Sequence, residues 1–266
     1  MFVGDEIQDI EAEEWINGKP DFSQGKHLIH LWDPKCLRCH TELEMLAEIA
    51  RNRGIQLVVL HQPEHDFEDR EFLEKTIKDK EADFSAAHKP EKQRWMERNS
   101  PKKLVIEDGE VKHHSSGDHD LKDLEDFLGI QTELKVPHNP QEKHLGLKNS
   151  DLHPEHRFHG KKNVDSKSPT KTDLSISGEW KQTEECLEAG ENAEISFITD
   201  KNQLYIVADP EESVKNVKVY SDHEMVAKEN IMFSGISHLA ELGKNESKQI
   251  NIEVDKGLKL YKMDLI

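Results

Sequence analysis

Three kinds of feature are scarce or missing in this chain of 266 residues: cysteines, an excess of basic charge, and long apolar runs. Its three cysteines are too few for a fold built on disulfides. The net charge of −18 argues against binding to nucleic acid or to an anionic membrane surface. No stretch approaches the ~20 apolar residues of a membrane-spanning helix, so we predict no membrane span.

The first residues of the chain also lack the features of a secretory signal. The opening segment, MFVGDEIQDIEAEE, is acidic and has neither a basic start nor an apolar core. From the sequence as written we therefore expect a soluble, cytoplasmic protein.

Composition indicates that part of the chain is linker. The hydrophobic fraction is 34%, no larger than the charged fraction of 34%, which is low for a chain folded throughout. The polar stretch 131–173 contains four prolines and many His, Lys, Asn and Ser residues. Its histidines are irregularly spaced, which favours a solvated tether over a metal site. We predict a domain over 1–130, this linker over 131–173, and a second domain over 174–266.

The motif that carries chemistry is Cys36-Leu37-Arg38-Cys39. It follows the compact apolar run His27–Trp32 and precedes apolar residues at helical spacing, so we predict a buried strand, a turn and a helix that starts near Cys36. A helix N-terminus and the flanking Lys35 and Arg38 favour a thiolate at Cys36. Cys39 lies one turn away, where a second thiol can resolve a mixed disulfide.

Two other uses of the cysteine pair stay open. Half of a zinc site needs a second Cys/His pair at fixed spacing, and the remaining cysteine, Cys186, is alone. With His40 the run reads C-L-R-C-H, the motif of c-type haem attachment. A strand that leads directly into the motif favours redox chemistry. Metal or haem binding through Cys36, Cys39 and His40 is the alternative.

The rest of the first domain reads as a βαβ unit followed by a ββα unit. An all-apolar second strand after the helix indicates parallel pairing, and an Asp-Gly pair between two short strands indicates a hairpin. The predicted elements are a strand over Ile55–Leu60, a helix over Asp66–Lys80, strands over Lys102–Glu107 and Glu110–His114, and a helix over Leu121–Leu128.

This order resembles that of thioredoxin-like proteins of the TlpA and DipZ types. Trp32 resembles the first tryptophan of the thioredoxin active-site run, and His30 occupies the place of the buried acid of that family. Pro101 falls where the family places a cis-proline that faces the disulfide. The chain departs from thioredoxin in its Leu-Arg dipeptide between the cysteines and in Glu44, which stands where a helix proline is expected.

Three further segments resemble DipZ-type disulfide reductases in the same order along the chain. They are HQPEHDFE at 61–68, a degraded match to a His-Gly-Glu-Gly loop at 114–120, and PQEKHLGLKN at 140–149. EEWINGKP at 13–20 resembles the entry segment of TlpA-type proteins. Members of this family often act outside the cytoplasm.

The last third of the chain predicts an all-β domain. Short strands at regular spacing, separated by turn residues and without helices, indicate a β-sandwich of the jelly-roll-like type. Three matches, at Leu174–Trp180, Leu204–Val207 and Gly257–Tyr261, resemble the carbohydrate-module-like domain that follows thioredoxin in the DipZ family. Of the aromatic residues that could face a sugar, most are expected in the core; they are Trp180, Tyr205, Tyr220 and Tyr261.

The sequence therefore predicts an α/β thioredoxin-like domain followed by a β-sandwich, acting as a thiol–disulfide oxidoreductase without a cofactor. Cys36 would attack a protein or small-molecule disulfide and Cys39 would resolve the product. The resemblance implies that Trp32 packs beside the disulfide, that His30 moves protons or is an ordinary core histidine, and that Pro101 presents backbone groups to the substrate. The sandwich would serve as a docking or homo-oligomerisation module.

Overall fold

The computed structural model describes residues 3–7, 9–33, 36–63, 67–79, 84–91, 102–116, 120–130, 141–145, 160–164, 174–243 and 247–266. The chain divides into two compact units, Met1–Pro137 and His138–Ile266. None of the described helices is both long enough and apolar enough to cross a membrane.

Among its described residues, the first unit has a six-stranded sheet and three helices. Its strands are β1 (Ala12–Ile16), β2 (Lys26–Trp32), β3 (Gln56–His61), β4 (Ser85–Pro90), β5 (Lys102–Glu107) and β6 (Glu110–Ser116). Its helices are α1 (Leu37–Arg53), α2 (Arg70–Asp79) and α3 (Asp120–Leu128). The strand order is β1-β4-β3-β2-β5-β6. Strands β2, β3 and β4 are parallel, whereas β1, β5 and β6 run antiparallel to their neighbours.

The thioredoxin-like fold predicted from the sequence is confirmed by this connectivity. Strands β2 and β3 flank helix α1 as a parallel βαβ unit, and β5, β6 and α3 form the ββα unit. Helix α1 ends at Arg53, because Gly54 has a positive φ of 64° and its N–H caps the carbonyls of Ala50 and Arg51. Helix α2 begins at Arg70 rather than at Asp66. Asp66 and Lys80 lie outside the described residues.

The central strands bury both of their faces, so they lack the alternation of an exposed sheet. Successive residues of β2, such as Leu28 and Ile29, enter two different apolar clusters, one on each side of the sheet. Val58 and Val59 of β3 divide in the same way. Helix α1 covers one side with Cys39, Leu43, Leu46, Ile49 and Ala50.

Strand β1 was not foreseen in the acidic lead-in. Its sequence, AEEWI, carries two glutamates, and it forms an edge of the sheet by pairing with β4 only. An isolated segment of this composition has little strand propensity, so its conformation depends on the tertiary pairing.

The second unit is a β-sandwich, as predicted. Every strand pairing in it is antiparallel. The strands are β7 (Gln141–His144), β8 (Gly160–Val164), β9 (Ser175–Gln182), β10 (Leu187–Ala189), β11 (Ala193–Thr199), β12 (Gln203–Asp209), β13 (Lys215–Ser221), β14 (Glu224–Ile231), β15 (Gly235–Glu241), β16 (Lys248–Val254) and β17 (Lys259–Leu265). The order is β14-β13-β16-β11-β9-β10-β17-β12-β15. Alternate residues of β11 are buried, which gives the two-residue period that the sequence showed.

Two short strands of this unit lie inside the range that the composition assigned to a linker. Strand β7 pairs with β17, and β8 pairs with β9. Leu145, which follows β7, is fully buried in the core of the second unit. The strand sequences, QEKH and GKKNV, have no apolar alternation, so nothing in their pattern distinguishes them from a tether. The exact limits of the linker stay a prediction.

Candidate active site

Cys36 and Cys39 are joined by a disulfide at the start of α1. Their Cα atoms are 5.1 Å apart. Cys36 is the N-cap residue, with extended backbone angles, and its Sγ accepts a hydrogen bond of 3.1 Å from the N–H of Cys39. The motif therefore stands at a helix N-terminus, where the unpaired N–H groups and the helix dipole stabilise negative charge on sulfur.

The two sulfur-bearing residues differ in their access to solvent. Cys39 is only 3% exposed and belongs to the buried cluster beneath α1. Cys36 is half-buried and packs against the edge of that cluster. An incoming disulfide or thiol therefore reaches Cys36 first. The side chains of Lys35 and Arg38, which the sequence suggested as activating charges, lie outside the described residues.

Trp32 ends β2 and is buried in the same cluster as Cys39. Its ring makes edge-to-face contacts with two histidine rings, with centroid distances of 5.6 Å to His40 and 6.3 Å to His61. The indole Nε1 has no hydrogen-bond partner among the described residues. The contacts with the two histidine rings help to position this tryptophan.

His30 is fully buried in the middle of β2. Its neighbours in register are Val59 of β3 and Lys103 of β5. The burial fits both functions considered for His30, proton transfer and core packing. Pro101 lies outside the described residues, so its placement opposite the disulfide stays a prediction.

A buried ion pair that sequence reasoning missed joins α1 to β5. The Nζ of Lys103 lies 2.8 Å from Oε2 of Glu42, and both side chains are completely buried. Glu42 lies one helical turn after Cys39, on the face that also carries Leu43 and Leu46. A glutamate on this apolar face of the helix was the one sign in the sequence that Glu42 is buried. Charges in such positions stay ionised only when they are paired.

A second buried polar group lies at the carboxyl ends of the parallel strands. His61 Nδ1 is 3.3 Å from His88 Nδ1, and His61 Nε2 is 3.2 Å from Glu68 Oε2. All three side chains are at most 3% exposed. The strand predicted from the sequence ends at Leu60, one residue before His61. The sequence offered no signal that the three would meet, because they come from β3, β4 and the segment before α2.

Metal ligation was the alternative for this motif. Within the described part of the chain, no group of three or more His, Cys, Asp or Glu side chains is arranged to hold a metal ion. His40, the third residue of the proposed haem motif, packs its ring against that of Trp32 in edge-to-face geometry. The geometry described here thus supports a disulfide site and offers no observation that favours the metal or haem alternative.

Comparison with known proteins shows distant structural likenesses. No family model matches the chain, and no curated protein matches it. A thioredoxin-like protein solved in its oxidized form has 18% identity and a TM-score of 0.42, with 48% of this chain and 95% of that chain covered. A putative thioredoxin from Neisseria meningitidis has 20% identity and a TM-score of 0.35, covering 47% of this chain and 85% of its own. A carbohydrate-binding module from Clostridium stercorarium, solved with cellobiose, has 9% identity and a TM-score of 0.26, covering 40% and 92%. Because all three TM-scores are below 0.5, function has to be argued from the residues of this chain.

Proposed function

We propose that the chain is a thiol–disulfide oxidoreductase that works through Cys36 and Cys39. One observation carries this proposal: the two cysteines form a disulfide at a helix N-cap, with Cys36 accessible and Cys39 buried. A purely structural disulfide has no need of an accessible sulfur at a site that stabilises a thiolate. The arrangement provides an attacking thiol and a resolving thiol in fixed positions.

The reaction is an exchange of two electrons between two dithiol–disulfide couples. In the reduced enzyme the Cys36 thiolate attacks one sulfur of a substrate disulfide, and the other substrate sulfur leaves as a thiolate and takes up a proton. The Cys39 thiol then loses its proton and attacks the Cys36 sulfur. The second substrate sulfur leaves, and the Cys36–Cys39 disulfide forms. An external dithiol returns the enzyme to the reduced state by the reverse steps.

Cys39 must give up a proton in a site that bulk water does not reach. Glu42 is one turn away on α1 and is paired with Lys103, beside which His30 lies in register on β2. These buried groups supply the ionisable side chains next to the resolving thiol. We assign Glu42, Lys103 and His30 to proton transfer and charge balance when Cys39 attacks the Cys36 sulfur. Trp32, at the end of β2, would cover the two cysteines.

The same proposal covers the type of enzyme, its substrate and the role of the second unit. We propose a TlpA- or DipZ-type enzyme whose substrate is a protein or small-molecule disulfide or dithiol. Pro101 would lie opposite Cys36 and present backbone groups to that substrate. The β-sandwich would act as a docking or homo-oligomerisation module, and no cofactor is needed.

The test is a redox titration of the full chain across a series of reduced and oxidised glutathione, with thiols trapped by alkylation and counted by mass spectrometry. We expect a reversible two-electron transition in the wild type and in Cys186→Ser, which keeps the motif. Cys39→Ser should accumulate a mixed disulfide at Cys36, whereas Cys36→Ser should not form one. A pair that stays oxidised or reduced throughout, or that retains a stoichiometric metal or haem, would refute the proposal.

A further inference from the structure

The buried group formed by Glu68, His61 and His88 is not used in the reaction described above. Two of its members, His61 and His88, lie in one row of the sheet. Trp32, His61 and His88 are direct neighbours in register at the carboxyl ends of β2, β3 and β4. Neighbours in one row project to the same side of a sheet. The row therefore leads from Trp32, which shares a core with Cys39, to a set of ionisable groups with almost no exposure to solvent.

Hydrogen-bond chemistry fixes most of the proton positions in this group. A carboxylate only accepts, so the Nε2 of His61 donates to Glu68. A hydrogen bond between the two Nδ1 atoms needs a proton on one of them and none on the other. When His61 is neutral, the Nδ1 of His88 carries this proton and donates. When His61 is protonated at both nitrogens, the Nδ1 of His61 donates and the Nδ1 of His88 accepts. Gain of one proton by the group therefore reverses one hydrogen bond without moving a heavy atom.

The charge of the buried Glu68 carboxylate calls for a compensating proton within this group. An ionised carboxylate inside a protein is costly unless a positive charge compensates for it. Glu68 is 1% exposed, and His61 is fully buried beside it, so Glu68 and a cationic His61 together are neutral. Burial also lowers the pKa of His88, and the neighbouring His61 and Lys89 lower it further. His88 is thus the neutral partner that accepts from His61.

Other charged groups face the group from neighbouring elements. Glu13 and Glu14 on β1 and Lys89 on β4 act on His88. Glu14 is in turn 3.4 Å from Arg70 of α2. On α1, the His40 ring contacts the Trp32 ring at a centroid distance of 5.6 Å. Glu68 is the acidic side chain that contacts His61.

We propose that Glu68, His61 and His88 form a proton-holding group that positions Trp32 against the Cys36–Cys39 pair. The Trp32 ring makes edge-to-face contacts with His61 and with His40, the residue after Cys39, and its indole Nε1 has no hydrogen-bond partner among the described residues. The charge on His61 therefore sets the electrostatic environment of the tryptophan, because the edge and face of an indole carry opposite partial charges. These are positioning residues, and their role in catalysis rests on the proposed exchange reaction.

The experiment separates charge from packing at Glu68. Glu68→Gln keeps the size and removes the charge, whereas Glu68→Asp keeps the charge and leaves a gap. Glu71→Gln, on the exposed face of α2, is the matched control. The Trp32 indole N–H and the imidazole nitrogens are followed by NMR against pH in the oxidised full chain. Exchange with oxidised glutathione is measured on the reduced chain over the same range of pH.

We expect Glu68→Gln to shift the Trp32 indole N–H signal and to slow exchange by about tenfold, because a neutral amide holds the Nε2 proton of His61 more weakly than a carboxylate does. Glu68→Asp and Glu71→Gln should keep the signal and the rate close to those of the wild type. If Glu68→Asp is the more damaging change, or if the Trp32 signal is the same in Glu68→Gln and in the wild type, the proposal is wrong. A wild type without exchange would refute the proposed function, while the NMR spectra would still decide whether this group positions Trp32.

Discussion

The Nζ of Lys103 lies 2.8 Å from Oε2 of Glu42, and solvent reaches neither side chain. This ion pair joins the helix that carries the cysteines to β5. Removal of one partner would leave an uncompensated charge inside the core. We expect Lys103→Met to lower the free energy of unfolding by about 3–5 kcal/mol. Urea denaturation of the oxidised protein measures this loss.

The control for that experiment is an exposed pair of the same unit. Lys112 lies 2.8 Å from Glu110, and both side chains are partly exposed. Exposed ion pairs contribute about 1 kcal/mol or less, so Lys112→Met should cost little. The double change Lys103→Met with Glu42→Leu should recover much of the stability that Lys103→Met loses, because no charge stays buried. Equal losses for Lys103→Met and Lys112→Met would contradict the assignment of a buried pair.

The order of cysteine reactivity in the reduced protein follows from burial. Cys36 is half-buried, and Cys39 and Cys186 are buried. Burial also raises the pKa of the Cys186 thiol, which keeps it protonated at neutral pH. We expect iodoacetamide at pH 7 to modify Cys36 first and Cys186 last. Time-resolved mass spectrometry gives the order, and equal rates in denaturant serve as the reference. Faster modification of Cys186 than of Cys36 would contradict the roles assigned here.

The pH dependence of stability includes a contribution from His27. This residue is 3% exposed, and burial lowers its pKa below the ordinary value of 6.5. The unfolded chain therefore takes up a proton as the pH falls through about 6.5, while the folded protein does not. The free energy of unfolding should decrease in this window, with a slope of at most about 1.4 kcal/mol per pH unit for this residue. The slope disappears once the pH is below the folded-state pKa.

His27→Leu tests this contribution, because leucine keeps an apolar side chain at the site and cannot titrate. We expect its unfolding free energy to depend less on pH between 6.5 and 5 than that of the wild type, as measured by urea denaturation in steps of pH (~0.5 unit). His223→Leu, in the exposed turn between β13 and β14, is the matched histidine control. An unchanged pH slope in His27→Leu would show that His27 does not supply it.

The regular elements of the first unit could be predicted because their signals are local. The apolar run of β2, the Asp-Gly hairpin turn after β5 and the helix end at Gly54 are each encoded within a few residues. The Cys36–Cys39 disulfide at a helix N-terminus also follows from local spacing. Each of these needs only neighbours in the sequence.

The features that were missed depend on residues distant in the sequence. Glu42 and Lys103 are 61 positions apart, and His61 and His88 are 27 apart. Each side chain looks like a surface charge or a loop residue until the sheet brings it to its partner. The same holds for β7 and β8, whose polar sequences become strands because they pair with β17 and β9.

Gly178 of β9 marks a close approach between two backbone segments of the second unit. It has a positive φ of 85°, and a Cβ built there would overlap the backbone oxygen of Asn192. Gly257 has the same φ of 85°, but a Cβ there would meet only the flexible end of Lys215. Gly257→Ala should therefore cost about 1–2 kcal/mol from backbone strain alone. Gly178→Ala should cost clearly more, because β9 and β11 must separate at the point where Ser177 pairs with Glu194. Urea denaturation followed by circular dichroism compares the two losses, and hydrogen exchange along β9 and β11 locates them. Equal losses would mean that the close approach at Asn192 relaxes without cost, and that the glycine at 178 is required only for its backbone angles.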